Sequence, residues 1–256
     1  MKAIRLFMIS VLVLATWACT GSKTGNVYTQ MEEQTSTTKE QSFSKAVYEI
    51  AVRVVKDGMK EDFVRERSAF ISALTAEEGV SNDREFQSFY ALPAPDEREV
   101  FIGMTQYASA KTLEKVQGNI YEKFLPFAKT MDLKAYVFVQ PIEGGDFELK
   151  NLAAQSGQVL EVAVRRVKEG QENAFQSTRK EFVDWLNAQE GVKGSWEFKV
   201  ISGQDTERLT VGMSVYENKE KFMAISAQVQ QLEAARKYFA TFDPVALQYA
   251  VSISNQ

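Results

Sequence analysis

The sequence contains no histidine, and of its 256 residues only Cys19 is a cysteine. Without imidazole the chain cannot build a Ser-His-Asp or Cys-His nucleophile, a histidine-ligated haem or an ordinary zinc site. Catalysis would have to rest on carboxylates, Arg, Lys, Tyr, Trp and amides, or on the substrate's own reactivity, and neither a cofactor nor a metal is expected. No carboxylate spacing suggests a calcium loop. Positive charge is not in excess either. Thirty Lys and Arg face 34 Asp and Glu, a net charge of −4, which argues against a phosphate-binding surface and so against nucleic acid as a partner. The apolar run of residues 6–15 covers about ten positions, short of the roughly 20 that a bilayer-spanning helix needs.

What is present is a globular composition, 45% apolar and 25% charged, and one stretch written twice. Residues 47–58, VYEIAVRVVKDG, return as residues 159–170, VLEVAVRRVKEG, with eight of twelve positions identical at an offset of 112. The same offset pairs Phe63 with Phe175, Arg67 with Arg179, Phe70 with Phe182 and Leu74 with Leu186. It also pairs Glu78-Gly79-Val80 with Glu190-Gly191-Val192, and Glu85-Phe86 with Glu197-Phe198. At an offset of 109, Gly103-Met104 meets Gly212-Met213 and Tyr107 meets Tyr216. Two units of similar length, residues 46–142 and 159–256, follow from this, joined by a linker over residues 143–158.

Ahead of the units, Lys2 and Arg5 precede the apolar run, and Thr16-Trp17-Ala18-Cys19 closes it. That order is a secretory signal over residues 1–19. With Ala18 before the cysteine it resembles the lipobox of bacterial lipoproteins, although Thr16 stands where leucine is usual and Trp17 is bulky. The resemblance implies a lipid on Cys19 and a membrane anchor. Thr20 is not the aspartate of an inner-membrane retention signal, so it implies the outer membrane of a bacterial envelope. The alternative is a plain cleaved signal that leaves a free thiol. Residues 20–45, rich in Thr, Ser, Gln and Glu, read as a flexible tether.

Within the first unit, alternation over residues 47–55 predicts a strand that ends at Asp57-Gly58. Phe63, Phe70 and Leu74 predict a helix over 59–76, and strands follow over 84–90 and 99–107. A helical region over 113–127 carries Gly118 and Pro126, expected to interrupt or bend it, and a strand over 135–142 ends the unit. The second unit repeats the order, with one helical region over 219–241. Strand, helix, strand, strand, helix, strand is the ferredoxin-like arrangement, an α+β fold with an antiparallel sheet under two helices.

A βαββαβ unit of this size, with Glu78-Gly79-Val80 or Glu190-Gly191-Val192 after its first helix and Met104-Thr105-Gln106-Tyr107 or Met213-Ser214-Val215-Tyr216 in its third strand, resembles the antibiotic biosynthesis monooxygenase type of dimeric α+β barrel. Each third strand ends in tyrosine where that family commonly has tryptophan. The resemblance implies that the tandem units pair their sheets within one chain, as an internal pseudo-dimer. It also implies cofactor-free oxygenation as one possible activity. The family's haem-degrading branch needs a histidine this chain lacks.

Candidate pocket residues follow from the repeat. Arg67 and Arg179 each lie four residues after one phenylalanine and three before another, along the apolar stripe of the first helix. Glu49 and Glu161 share a strand face with Ala51 and Arg53, and with Ala163 and Arg165. If that face lies under the helix, Glu49 is expected to meet Arg67, and Glu161 to meet Arg179. The alternative is a structural ion pair, or arginines that snorkel to solvent. Trp185 and Trp196 are candidate walls of an aromatic pocket or plain core residues, and Tyr107 and Tyr216 are candidate ligand-orienting groups or boundary residues. The leading expectation is a lipid-anchored, non-catalytic envelope protein that binds a small, partly apolar molecule or a partner protein in its helix-sheet clefts. Two alternatives remain: a cofactor-independent oxygenase whose active half is the second unit, with Trp185, Trp196, Arg179 and Tyr216 around an aromatic substrate, and a structural module with packed clefts.

Overall fold

The structure, a computed structural model, describes residues 46–142 and 147–253. The signal with Cys19 and the tether lie outside the described residues. In the first unit β1 (Val47–Val55), α1 (Lys60–Thr75), β2 (Val80–Leu92), β3 (Val100–Tyr107), α2 (Ala110–Ala128) and β4 (Met131–Pro141) follow in order. The second has β5 (Val159–Val167), α3 (Glu172–Asn187), β6 (Val192–Gly203), β7 (Leu209–Tyr216), α4 (Lys219–Val229), α5 (Glu233–Phe239) and β8 (Phe242–Ser252). Eight antiparallel strands close a barrel in the order β1-β3-β2-β8-β5-β7-β6-β4. Each half is a ferredoxin-like sheet, and the halves join where β2 meets β8 and β4 meets β6.

Local chemistry sets these elements. β1 is rich in β-branched residues that fit a pleated surface, and Gly58, at φ +72°, supplies the left-handed turn that frees the chain for α1. Helices α1 and α3 bury Phe63, Phe70 and Leu74, and Phe175, Phe182 and Leu186, the repeated stripe that the sequence predicts. Helix α2 starts at Ser109, whose hydroxyl accepts from the Thr112 amide at 3.1 Å; Asn218 does the same for α4 from Lys221 at 2.9 Å.

Three expectations change. α2 runs unbroken for 19 residues, with Pro126 in its last turn where little of the helix must adapt. The break falls in the second unit instead, between α4 and α5, with no glycine or proline to announce it. There Leu232 packs on the second unit's helix-side core, and the redirected α5 carries Tyr238 toward the sheet. β2 and β4 also start earlier than 84–90 and 135–142, and β2 ends later: Val80, Ser81 and Asp83 pair with β3 and Met131, Asp132 and Leu133 with β1 inside the unit, while Ala91 and Leu92 pair with β8 of the other unit. Ladder pairing holds these extensions, which no local periodicity marks.

Alternate residues of β1 face opposite sides. Tyr48, Ile50, Val52 and Val54 enter the barrel with Phe86, Met104, Leu160, Phe198 and Met213. Val47 and Val55 face the helices, with Phe63, Phe70 and Phe127. The linker does more than join the units. Phe147, Leu149, Leu152 and Ala153 are buried in the barrel core. The Phe147 ring lies 4.8 Å from Tyr48 and 4.8 Å from Phe198. Arg84 donates to the carbonyls of Lys150 and Ala153 at 3.0 and 3.3 Å, which seats the linker across the barrel end where β1 and β5 begin.

Candidate functional site

The site develops on the sheet face under α1 and α2. Register aligns Phe138, Glu49, Thr105 and Asp83 in one row across four strands, and Tyr136, Ala51, Gly103 and Glu85 in the next. Ala51 and Gly103 leave a furrow, and the Arg53 guanidinium lies in it, where a Cβ on Gly103 would sit 1.3 Å from Nη2. Strand glycine here marks close approach of another group. Arg53 Nη2 donates to Glu85 Oε2 at 2.9 Å, and Arg67 Nε donates to the same oxygen at 2.5 Å. Arg67 Nη2 also reaches Asp83 Oδ2 at 2.9 Å.

Glu49 therefore does not pair with Arg67. Its carboxylate accepts from the Tyr107 hydroxyl at 2.7 Å, and Glu161 accepts from Tyr216 at 2.6 Å. Nor does Glu161 pair with Arg179, whose Nη1 stands 3.5 Å from Glu197 beside the Arg165–Glu197 pair at 2.6 Å. The physical reason is register. Glu85 and Glu197 sit one row further from the tyrosines and directly across the glycine furrow from the arginines, whereas Glu49 and Glu161 lie next to the hydroxyls.

A cavity of about 10 Å³, room for roughly one water, opens beside Glu49, Arg53, Asp83, Thr105 and Tyr136, with Phe70, Ile71, Phe124 and Leu133 on its apolar side. Glu49 keeps part of its surface toward this space, yet protein surrounds its carboxyl. Desolvation raises its pKa from 4.5 to about 7, against the opposing pull of the Tyr107 hydrogen bond and Arg53. Burial likewise raises Asp83, despite Arg67, and Tyr107. Arg53 Nε and Glu85 Oε1 are buried without a hydrogen-bond partner. Because Glu49 is protonated more readily folded than unfolded, its contribution to stability is full below about pH 4.5 and is lost as pH rises to about 7. The stability of Glu49→Gln, followed by urea denaturation across that range, is expected to fall less with pH than that of the wild type. Parallel pH profiles would assign Glu49 an ordinary carboxylate titration.

The second unit fills the corresponding rows differently, with Tyr249, Glu161, Ser214 and Ser195, then Leu247, Ala163, Gly212 and Glu197. Ser195 and Ser214 bond each other at 3.1 Å where the first unit has Asp83 and Thr105. Arg165 donates to Tyr238 on α5 and lies 5.4 Å from the Phe175 ring and 5.9 Å from that of Phe242. This is a cation packed into aromatic core. Trp185 stacks on Phe182 at 6.1 Å on the helix side. Trp196 lies on the opposite face of the sheet, 5.6 Å from the linker's Phe147 and packed against the barrel core. The two tryptophans therefore do not wall one pocket, since Glu197 faces the helices and its neighbour Trp196 must face inward. Asp83, Thr105 and Tyr136 escaped sequence reasoning, because none of the three is kept between the units. The repeated Gly103 and Gly212, and the repeated Glu85 and Glu197, were the available signal for the ion-pair furrow.

Among the described residues no group of three or more Cys, Asp or Glu is placed to hold a metal ion. No protein-family model matches the sequence, and no curated protein does. Solved structures do resemble the fold. An anthrone oxidase-like protein superposes with a TM-score of 0.56 at 14% identity, over 82% of this chain and 92% of the other. A Fusobacterium nucleatum protein of proposed monooxygenase activity gives 0.53 at 10% identity, over 82% and 94%. A DypB variant from Rhodococcus jostii, in complex with heme, gives 0.56 at 9% identity, over 82% and 94%. The present residues do not fit heme: the chain offers no histidine, and the cleft cavity of about 10 Å³ is far below the ~300 Å³ and more of cofactor pockets. The closed eight-stranded barrel of two ferredoxin-like halves, shared with these structures, makes this chain a dimeric α+β barrel built within a single polypeptide.

Proposed function

We propose that the protein binds a small, partly apolar molecule in the helix-sheet cleft of its first unit, where Glu49 accepts a hydrogen bond or a proton from it. The observation that carries this reading is the cavity itself, with a buried carboxyl, an unpartnered guanidinium N–H and seven apolar side chains on one space. The working half is then the first unit, and not the second, whose arginine is committed to aromatic core. The cavity holds about one water, so binding a larger molecule requires α1 and α2 to part over the sheet. Anchoring through a lipid on Cys19 in a bacterial outer membrane belongs to the same proposal and rests on the signal and cysteine of residues 1–19.

A second reading, cofactor-independent oxygenation, is favoured by one feature: a buried carboxyl with a pKa of about 7, suited to take a proton from an electron-rich hydroxyaromatic substrate. The resulting resonance-stabilised anion would pass electrons from its ring carbon to dioxygen and form a C–O bond as a peroxide. The peroxide takes up a proton and loses water to leave a ketone, so that one oxygen atom enters the product and the other leaves as water. The anthrone oxidase-like structure shares the fold, which makes anthrone a reasonable probe.

Native mass spectrometry of the protein from its own envelope tests the proposal. A bound small molecule is expected in the wild type and in Arg179→Met, and is expected to disappear in Ala51→Leu, which fills the furrow. The N-terminal mass is expected to include acyl chains on Cys19. Retention of the molecule by Ala51→Leu would sink the cleft assignment. Dioxygen uptake with anthrone that requires Glu49 would select the second reading over simple binding.

A further inference from the structure

The barrel has two unlike ends. β1 and β5 are separated by an even number of antiparallel steps and run in the same sense, so one end gathers the starts of both strands and the other gathers their ends. The linker closes the first end. At the other end lies a cavity of about 100 Å³. Ala135, Leu209 and Val245, all continuous with the barrel core, form its apolar part. Lys134, Arg166 and Asp205 are its charged lining, and each cation has a carboxylate partner, Asp205 for Arg166 and Asp96, outside the lining, for Lys134.

We propose that this mouth binds a short-chain monocarboxylate, with its alkyl tail toward the barrel and its carboxylate at Lys134. Size points to a compact ligand, since a cavity of about 150 Å³ holds a ring of six carbons. Spare N–H groups on Lys134 point to an acceptor on the ligand, and a carboxylate is the strongest such acceptor. Lys134 Nζ donates to Asp96 at 2.6 Å, and the ammonium has three N–H groups to give. Asp96 does not line the cavity, and Gln248 Nε2 also holds it at 3.0 Å, so Lys134 can accept a second carboxylate while Asp96 keeps its place. Arg166 is committed to the turn after β6: Nη2 bonds Asp205 Oδ2 at 2.6 Å, and Nη1 bonds the Glu207 carbonyl at 2.8 Å. Its charge is balanced there by Asp205. Glu49 does not line this cavity, although Tyr136 borders both it and the cleft.

Isothermal titration of the full-length protein with butyrate, butanol and butylammonium tests the assignment. Butyrate is expected to bind at least about tenfold more tightly than either of the others, the scale of one charge-assisted hydrogen bond. Lys134→Met is expected to bring butyrate down to the level of butanol. Val245→Phe, which fills the apolar part, is expected to abolish binding of butyrate with the thermal melt unchanged. Absence of saturable butyrate binding overturns the proposal, as does equal affinity for all three probes or full butyrate affinity in a folded Val245→Phe.

Discussion

Replacing Glu85 by alanine is expected to destabilise the protein by about 3–5 kcal/mol, the usual cost of removing one member of a buried ion pair. Two guanidinium groups share one Glu85 oxygen, and the side chains of Arg53 and Glu85 are 5% and 0% exposed. Arg67 can fall back on Asp83 at 2.9 Å, so the stranded charge is chiefly that of Arg53. The double variant Glu85→Leu/Arg53→Leu should therefore lose less than Glu85→Ala alone, because it also removes the desolvated cation. Glu197→Ala should cost less than its counterpart in the first unit, since Arg165 keeps Tyr238 and three ring faces. Urea denaturation of the three variants beside the wild type reads all of this. Equal losses in the Glu85 single and double variants would mean that the pair is not coupled.

Gly103→Ala is the second large effect, expected at about 3 kcal/mol, because it evicts the same guanidinium. The new Cβ would lie 1.3 Å from Arg53 Nη2, which is held to Glu85 and cannot turn away without breaking that bond. Elsewhere in a strand, alanine for glycine is neutral or favourable. Most of the loss should accordingly vanish in an Arg53→Met background, as a coupling of more than about 1 kcal/mol in a double-mutant cycle. Gly212→Ala meets Arg165 Nη2 at 2.9 Å and should cost less. Additive losses from Gly103→Ala and Arg53→Met would refute the furrow.

Much of the architecture is legible along the chain. Alternation in β1 and β5, the stripe of Phe63, Phe70 and Leu74, and the offset of 112 give the element order and the two-unit plan, and the sheet and helices follow them. The candidate residues are legible by type and face, less so by partner. Glu49, Ala51 and Arg53 do share a face under the helices, and Tyr107 does reach that face. The pairing Glu49 with Arg67 failed because a strand pattern fixes which side a residue points to but leaves open which row it occupies beside its neighbours. One row, two residues along the strand, separates Glu49, held by Tyr107, from the row of Glu85, which the arginines reach. Of the two readings open for the tryptophans, core packing fits and a shared pocket wall does not: Trp196 follows the alternation of β6 into the barrel, and its distance in sequence from Trp185 carries no information about the sheet between them.

The sequence by itself determined the duplication, the α+β order of each half and the exclusion of imidazole chemistry, because periodicity and composition are local properties of the chain. The tertiary structure alone decided that the first unit's cleft keeps a cavity beside Glu49, that Glu85 gathers two arginines, that the linker stoppers one end of the barrel, and that the second-unit helix breaks to bring Tyr238 to Arg165. Each of these depends on contacts between residues tens of positions apart, whose energies are set by barrel closure and register and leave no mark in any short window of sequence.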